Sequence, residues 1–309
     1  MKTCIAVDIG GTKMLVAEVW EDGSIINRKR FATGNIRREE VVRRLIAGIR
    51  EYEDEIGWIS GKRPVQMGIG VNGLVDPVQG IWKRTGPAEP EIALAECMER
   101  EFGLKCYVDN DVKATVIAEN RFGAGKNCRN MVYMNMGTGL SAGIIANGKL
   151  IRGTDGFAGE IGYMNFTEGE GERVELMASG MGIDNQVKKL IEKYPNSLLR
   201  KKAKEYVSGQ DVFDAAEKGD ALAGRVLDML VRMSALMISN LTCALSPEIV
   251  ILGGGLISSG YLSDRIAGAV MPKARQHLEK GVVLTGLDPA YAGLIGAAAV
   301  GFGYQQEYF

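Results

Sequence analysis

Histidine is almost missing from this sequence: its 309 residues hold one, His277. A single imidazole excludes a multi-histidine metal site. No serine motif is read here as a nucleophile elbow, so acid–base chemistry has to rest on carboxylates. A charge surplus is missing too. The 37 Lys and Arg nearly balance the 38 Asp and Glu, leaving a formal net charge of −1 and nothing to drive binding to nucleic acid or an anionic membrane. Long apolar runs are lacking; a stretch such as Leu294 to Phe302 is far too short to span a bilayer. The five cysteines, Cys4, Cys97, Cys106, Cys128 and Cys243, form no CxxC pair and show no disulfide-like spacing. They read as free thiols of a reducing cytosol. The chain enters an apolar run almost at once, leaving no room for a signal peptide, and a cytoplasmic location is expected.

Two nucleotide-binding signatures also fail. Gly125-Lys126 is followed by Asn127 and lacks the upstream glycine of the GxxxxGK(S/T) motif, where Asn120 stands, so no P-loop is present. Gly68 to Gly73 spells GxGxxG, but Val75-Asp76-Pro77 makes a turn where a dinucleotide fold would open a helix.

Glycine, by contrast, is abundant at 41 residues, and 46% of the chain is hydrophobic, enough for one large domain or two of ordinary size. Cys4 to Val7 reads as a short buried strand. Asp8-Ile9-Gly10-Gly11-Thr12-Lys13 follows, then an apolar run from Met14 to Trp20 closed by Asp22-Gly23. Two extended segments joined by a glycine turn predict a β-hairpin. The bare turn at Gly10 and Gly11 lets backbone N–H groups converge on an anion, and Asp8 at the strand end is placed to hold a hydrated divalent cation beside it. Taken alone, the same glycines read as an ordinary turn.

A second copy gives the turn its meaning. Met131 to Met134 is an apolar strand, Asn135-Met136-Gly137-Thr138-Gly139 a glycine turn, Leu140 to Ala146 a return strand, and Asn147-Gly148 the closing pair. Asp8 matches Asn135 and Gly10 matches Gly137, with the second return strand shorter by two residues. The duplication predicts two similar domains with a nucleotide in the cleft between them. Elsewhere strands and helices alternate, as in an α/β sheet with ligands at strand ends. Helices are expected near 37–54, 91–102, 112–122, 183–194, 210–218, 220–245 and from 294 to about 303.

Asp109-Asn110-Asp111 stands at the carboxyl end of the strand Lys105 to Val108. Asp111 reads either as the cap of the following helix or as a base taking a proton from a hydroxyl that attacks a γ-phosphoryl group. Glu160, among Ala158, Gly159 and Gly162, and Glu175, ahead of Ala178-Ser179-Gly180, read either as solvated loop acids or as acids reaching into a cleft. Gly253 to Gly255 reads either as a plain strand-to-helix turn or as backbone bare enough for an adenine ring.

Together these stretches resemble the ROK family (repressors, uncharacterised open reading frames and sugar kinases) of the sugar kinase/actin-like ATPase superfamily. The resemblance covers nearly the whole chain. It rests on Asp8 to Lys13, Gly68 to Gly73, Asn110-Asp111, Gly137 to Gly139, Ala158 to Gly162, Glu175 with Ala178-Ser179-Gly180, and Gly253 to Gly255. It implies an α/β fold of two duplicated actin-like (ribonuclease H-like) domains around a nucleotide and sugar cleft. The small domain would take residues 1–112 plus the terminal helix at about 294–309, and the larger one 113–293. Gly10, Gly11, Thr12, Lys13, Gly137, Thr138 and Gly139 would bind ATP phosphates, and Gly253, Gly254 and Gly255 would border adenosine. Asp111 would be the catalytic base. Asn72, Gly73, Asn110, Asp111, Glu160, Tyr163 and Glu175 would contact the sugar, and Asp8 would hold Mg²⁺, partly through water. A homodimer or homotetramer is implied.

The chain departs from the pattern at two places. Most ROK kinases carry histidine at the position of Tyr163, with a cysteine-rich zinc loop before the glutamate matching Glu175. Here that loop is Glu168 to Arg173 without cysteine, so no structural zinc is expected. Tyr163 looks like the β-glucoside kinase branch, whereas Ala178-Ser179-Gly180 looks like the hexokinase type. Lys83 to Glu89 lacks the asparagine that many members use on the sugar. The expectation is an ATP-dependent kinase acting on the 6-hydroxyl of a hexose such as glucose, an N-acylhexosamine or a β-glucoside. Its rival is a non-catalytic sugar-binding or regulatory protein of the same family.

Overall fold

The structure, a computed structural model, describes residues 1–11, 13–33, 38–83, 90–166, 173–257 and 260–309. Thr12, residues 84–89 of the expected sugar loop and residues 168–172 of the cysteine-free loop lie outside it. The chain divides into two compact units. The first comprises Met1–Asn127, Gly148–Ala158 and Gly286–Phe309, and the second Cys128–Asn147 and Gly159–Thr285.

In the first unit, strands β1 (Thr3–Ile9), β2 (Lys13–Trp20) and β3 (Ile25–Ala32) form two consecutive antiparallel hairpins. Helix α1 (Arg38–Glu55) leads to β4 (Gln66–Val71), and the short pair β5 (Val75–Asp76) and β6 (Ile81–Trp82) leads to α2 (Leu94–Phe102). Residues 91–93 are not helical; Ile92 bridges Trp82 instead. Gly103 ends α2 with a φ of 65°, a left-handed cap open to glycine. Then come β7 (Lys105–Asn110), which runs through Asp109 and Asn110, and α3 (Asp111–Phe122). The sheet order is β3-β2-β1-β4-β7, with β4 parallel to both neighbours.

Side chains alternate across this sheet with period two. Ile5, Val7, Met14 and Val16 pack with Leu45, Ile49 and Tyr52 of α1 and Leu94 and Met98 of α2. On the opposite face Cys4, Ala6, Leu15 and Ala17 meet Leu294, Ala297 and Ala298 of the last helix. The two-residue strand β10 (Lys149–Leu150) also belongs to this unit.

The second unit repeats the plan. Strands β8 (Met131–Met136) and β9 (Leu140–Ala146) form the hairpin, and β11 (Ile249–Gly253) and β12 (Val282–Leu284) add in parallel, in the order β9-β8-β11-β12. The duplication extends beyond the turns. Asp8 pairs with Gly70 on β4, and its counterpart Asn135 pairs with Gly253 on β11. The second return strand is shorter by one residue rather than two, and its turn by one as well: Ile9 faces Met14, whereas Met136 faces Leu140. The letters GxSxG do occur, at Gly139 to Gly143, but Ser141 lies within β9 and not at a strand-to-helix turn.

Helices α4 (Glu175–Ala178), α5 (Gly180–Leu190), α6 (Gly209–Glu217), α7 (Ala221–Leu245), α8 (Ser263–Ala269) and α9 (Pro272–Arg275) complete this unit. The 25-residue α7 is capped by the Asp220 carboxylate on Ala223 N and supplies Leu227, Leu230 and Ile238 to the core. No helix among the described residues is long and apolar enough to cross a membrane.

Helix α10 (Ala292–Gly301) returns to the first unit. It explains the GxGxxG letters. A Cβ on Gly68 would stand 1.9 Å from Ala297 O, and one on Gly301 would stand 2.8 Å from Gly68 N. Gly73, with φ 96°, serves the turn after β4. These glycines serve close packing and a turn, not a dinucleotide.

Candidate active site

The first unit gathers its candidate residues at the carboxyl ends of β1, β4 and β7. Asp8 is the penultimate residue of β1, and its carboxylate lies against the first turn of α10, where a Cβ on Gly293 would come within 2.9 Å of it. Burial raises its pKa to about 6, against the pull of Lys13. Among the described residues no hydrogen bond is made by this carboxylate. A part-buried acid without donors suits a divalent cation, which would restore the charge compensation that burial removes.

At the adjoining turn, Gly10 N donates to Lys13 O at 2.9 Å and Gly10 O accepts from Thr33 Oγ1 at 3.1 Å. An anion here would therefore meet the N–H groups after Gly10. A Cβ on Gly10 makes only ordinary contacts and one on Gly11 meets nothing within 4 Å, so packing does not demand glycine at either position. Thr12 lies outside the described residues. A cavity of about 490 Å³ opens beside Lys13, lined also by Arg28 and Arg30, with the Arg28 guanidinium 4.1 Å over the Tyr291 ring. Sequence reading missed this basic recess, which only the pairing of β2 with β3 assembles.

At the end of β7, Asn110 and not Asp111 caps α3: its Oδ1 accepts from Val112 N at 3.1 Å and Lys113 N at 3.0 Å. Asp111 is the first helical residue. Asn110 Nδ2 donates to Gly73 O and to Asp111 Oδ1, each at 3.1 Å, and Asp111 Oδ1 also accepts from Val112 N at 3.0 Å. Three candidates, Gly73, Asn110 and Asp111, are thus joined directly. The backbone carbonyl of Asn72 accepts from Trp82 Nε1 at 2.9 Å, and the side chain of Asn72 is exposed.

The second unit collects its candidates around the tip of the β8–β9 hairpin. Gly137 N donates to Gly139 O at 3.1 Å, the counterpart of the bond from Gly10 to Lys13. The carbonyls of Gly137 and Thr138 accept from Gly180 N and Met181 N at the start of α5, a helix capped by Ser179. Ala178-Ser179-Gly180 therefore docks a helix on the glycine turn. Glu175 Oε2 accepts from Leu140 N at 3.3 Å, and it leaves no room for a Cβ on Gly139, 2.7 Å away.

Gly159 (φ 96°) and Gly162 press on the backbone of β9, where a Cβ on either would stand 2.0 Å from Ala142 O and 2.5 Å from Leu140 O. The small residues around Glu160 thus seat its turn on the hairpin. Tyr163 is half exposed, with the Arg173 guanidinium 4.9 Å over its ring. Gly253 and Gly254 are demanded by packing on Tyr133, Asn135 and Met136, whereas a Cβ on Gly255 would meet nothing within 4 Å. Only Gly255 of the three has space that the fold leaves unused.

This geometry has known relatives. The profile of the ROK family matches residues 4–301. The chain belongs to the ROK family. A glucokinase of Thermotoga maritima is 32% identical over 315 residues, covering 96% of each chain. An N-acetylmannosamine kinase of Yersinia pestis is 34% identical over 280 residues, 85% of this chain and 87% of that one. Among solved ROK structures, a glucokinase of Streptomyces griseus in complex with glucose and AMPPNP superposes with a TM-score of 0.78 at 27% identity, covering 97% of this chain and 99% of that one. The ROK fold, with its repeated strand–glycine turn–strand unit, is the fold described above.

Proposed function

We propose that this ROK-type carbohydrate kinase transfers the γ-phosphoryl group of ATP to a sugar hydroxyl, the 6-hydroxyl of a hexose or an N-acylhexosamine. The observation that carries the reading is the division of labour at the end of β7. Asn110 caps α3, so the cap does not rest on Asp111, whose Oδ1 receives hydrogen bonds from the Asn110 amide and from Val112 N. A donor on a carboxylate favours its ionised form, the form a general base needs.

Asp111 accepts the hydroxyl proton as the sugar oxygen bonds to the γ-phosphorus, and the bond to the ADP oxygen breaks. Backbone N–H groups of the turns at Gly10 to Lys13 and Gly137 to Gly139 hold the phosphates, and Lys13, Arg28 and Arg30 make the first turn electropositive. Asp8 is the residue to hold Mg²⁺, which when bound neutralises charge on the phosphate oxygens. Glu160, Tyr163 and Glu175 are assigned to the sugar and Gly255 to the adenosine. The glucokinase and N-acetylmannosamine kinase relatives support hexoses and acylated hexosamines as the acceptor class. Tyr163 keeps β-glucosides on the panel.

A coupled ADP-release assay over hexoses, N-acylhexosamines and β-glucosides tests the proposal. Sugar-dependent ADP release by the wild type, lost in Asp111→Asn, is the expected result. Sugar binding with no release on any member of the panel replaces it with the non-catalytic reading.

A further inference from the structure

One buried ion pair stands beside the proposed base and has no part in the chemistry above. Asp109 has no solvent exposure, and the Arg152 side chain is 14% exposed. The guanidinium grips the carboxylate at both oxygens, NH1 to Oδ1 at 2.8 Å and NH2 to Oδ2 at 2.6 Å. It also lies 5.3 Å over the Phe309 ring, while its Nε is buried without a partner among the described residues. Both residues belong to the first unit.

The contacts continue from this pair toward the site. Asp109 Oδ1 also accepts from Asn110 N at 2.8 Å, Asn110 fixes the start of α3 with its Oδ1, and its Nδ2 holds Asp111 Oδ1. Nothing in the packing of β7 calls for a buried charge. An apolar residue of similar volume commonly serves a core position as well as a buried ion pair or better. What the pair supplies is direction: a planar fork fixes the Asp109 carboxylate in plane and distance, which a point charge cannot do.

We infer that Arg152 is a positioning residue for the base, acting through Asp109 and Asn110 on the Asp111 carboxylate. The inference rests on the reading of Asp111 as the general base. The charged residues on the elements around Asp111 are Lys105 and Asp109 on β7, Lys113 (with its Nζ on Gly156 O), Glu119 and Arg121 on α3, Asp8 on β1 opposite Gly70, and Lys149, Arg152 and Asp155 on the segment of residues 148–158. Helix α10 carries no charged side chain.

The test uses the full chain with Arg152→Lys, which keeps the charge and loses the fork. The expected result is a kcat about 100-fold lower, with KM for ATP and sugar within about threefold of wild type. The acid limb of the kcat profile should move up by about one pH unit, because Asp109 no longer held in the fork and a misplaced Asn110 donor both disfavour the ionised base. A purely structural role would lower the folded fraction, read by melting and ATP binding, and leave that limb in place. Should Arg152→Lys fail to fold, Arg152→Met combined with Asp109→Leu removes both charges and keeps the core filled, and a reduced kcat with normal ATP binding is again expected. Wild-type kcat and pH profile in whichever variant folds overturn the inference. Wild-type protein that phosphorylates no sugar overturns the kinase reading and this inference with it.

Discussion

The Asn110 side chain works in two directions: its Oδ1 closes the first turn of α3 while its Nδ2 donates to Asp111 Oδ1 at 3.1 Å. The start of α3 and the Asp111 carboxylate are therefore both held by one residue.

Separating the two duties gives the first prediction. Asn110→Asp retains an acceptor for the Val112 and Lys113 amides but sets a second carboxylate beside Asp111. Melting should change by only a few degrees, while kcat falls about 10- to 100-fold. Asn110→Ala loses the cap as well and should cost about 1 kcal/mol of stability. Equal activity in Asn110→Asp and wild type would remove the donor from the mechanism.

Asp8 yields a pH dependence. Its carboxyl holds its proton up to about pH 6 in the folded chain, against 3.8 for the free group. Its contribution to stability is thus complete below pH 4 and lost as pH rises through 6. Above that, the part-buried carboxylate costs on the order of 1–3 kcal/mol. Asp8→Asn should melt several degrees higher than wild type at pH 8, differ little at pH 4, and lose metal-dependent turnover. Added Mg²⁺ should raise the melting temperature of the wild type at pH 8 and not that of the variant. Scanning calorimetry at the two pH values decides it, and a variant less stable at pH 8 refutes the assignment.

The glycines divide into two groups that substitution should tell apart. Gly11→Ala meets no neighbour and requires no left-handed φ, so the fold should tolerate it, while KM for ATP rises about tenfold or more. Gly254→Ala combines a φ of 93° with a contact at 2.5 Å on Met136, and should cost about 3 kcal/mol or fail to fold. An alanine at Gly11 with unchanged KM would show that the first turn does not approach a phosphate.

Much of this was legible beforehand because the signals are local. Apolar runs broken by Gly10-Gly11 and closed by Asp22-Gly23, then repeated to Asn147-Gly148, specify two hairpins by turn chemistry alone. Asn147 and Gly148 both take positive φ, 53° and 77°, as that reading requires. The choice between Asn110 and Asp111 as cap was not legible, since both side chains can accept backbone amides and only the end of β7 decides between them. Nor was the fork of Arg152 on Asp109, 43 residues apart in the chain and met only in the folded unit. Gly68 misleads by its letters, because its reason is a helix more than 220 residues downstream.

That last contact has a consequence for synthesis. The face of the first sheet bearing Cys4, Ala6, Leu15 and Ala17 is covered by a helix that ends at Gly301. A ribosome making this chain has released every residue of the second unit before α10 emerges. The unit that begins first therefore finishes last, and its small-residue face stays open to solvent while the later unit closes. Pulse proteolysis of released chains truncated before Ala292 should cut within residues 1–127 and spare 159–285. Protection of both would show that the first sheet closes without its last helix. Birth order and completion order run opposite ways in this molecule.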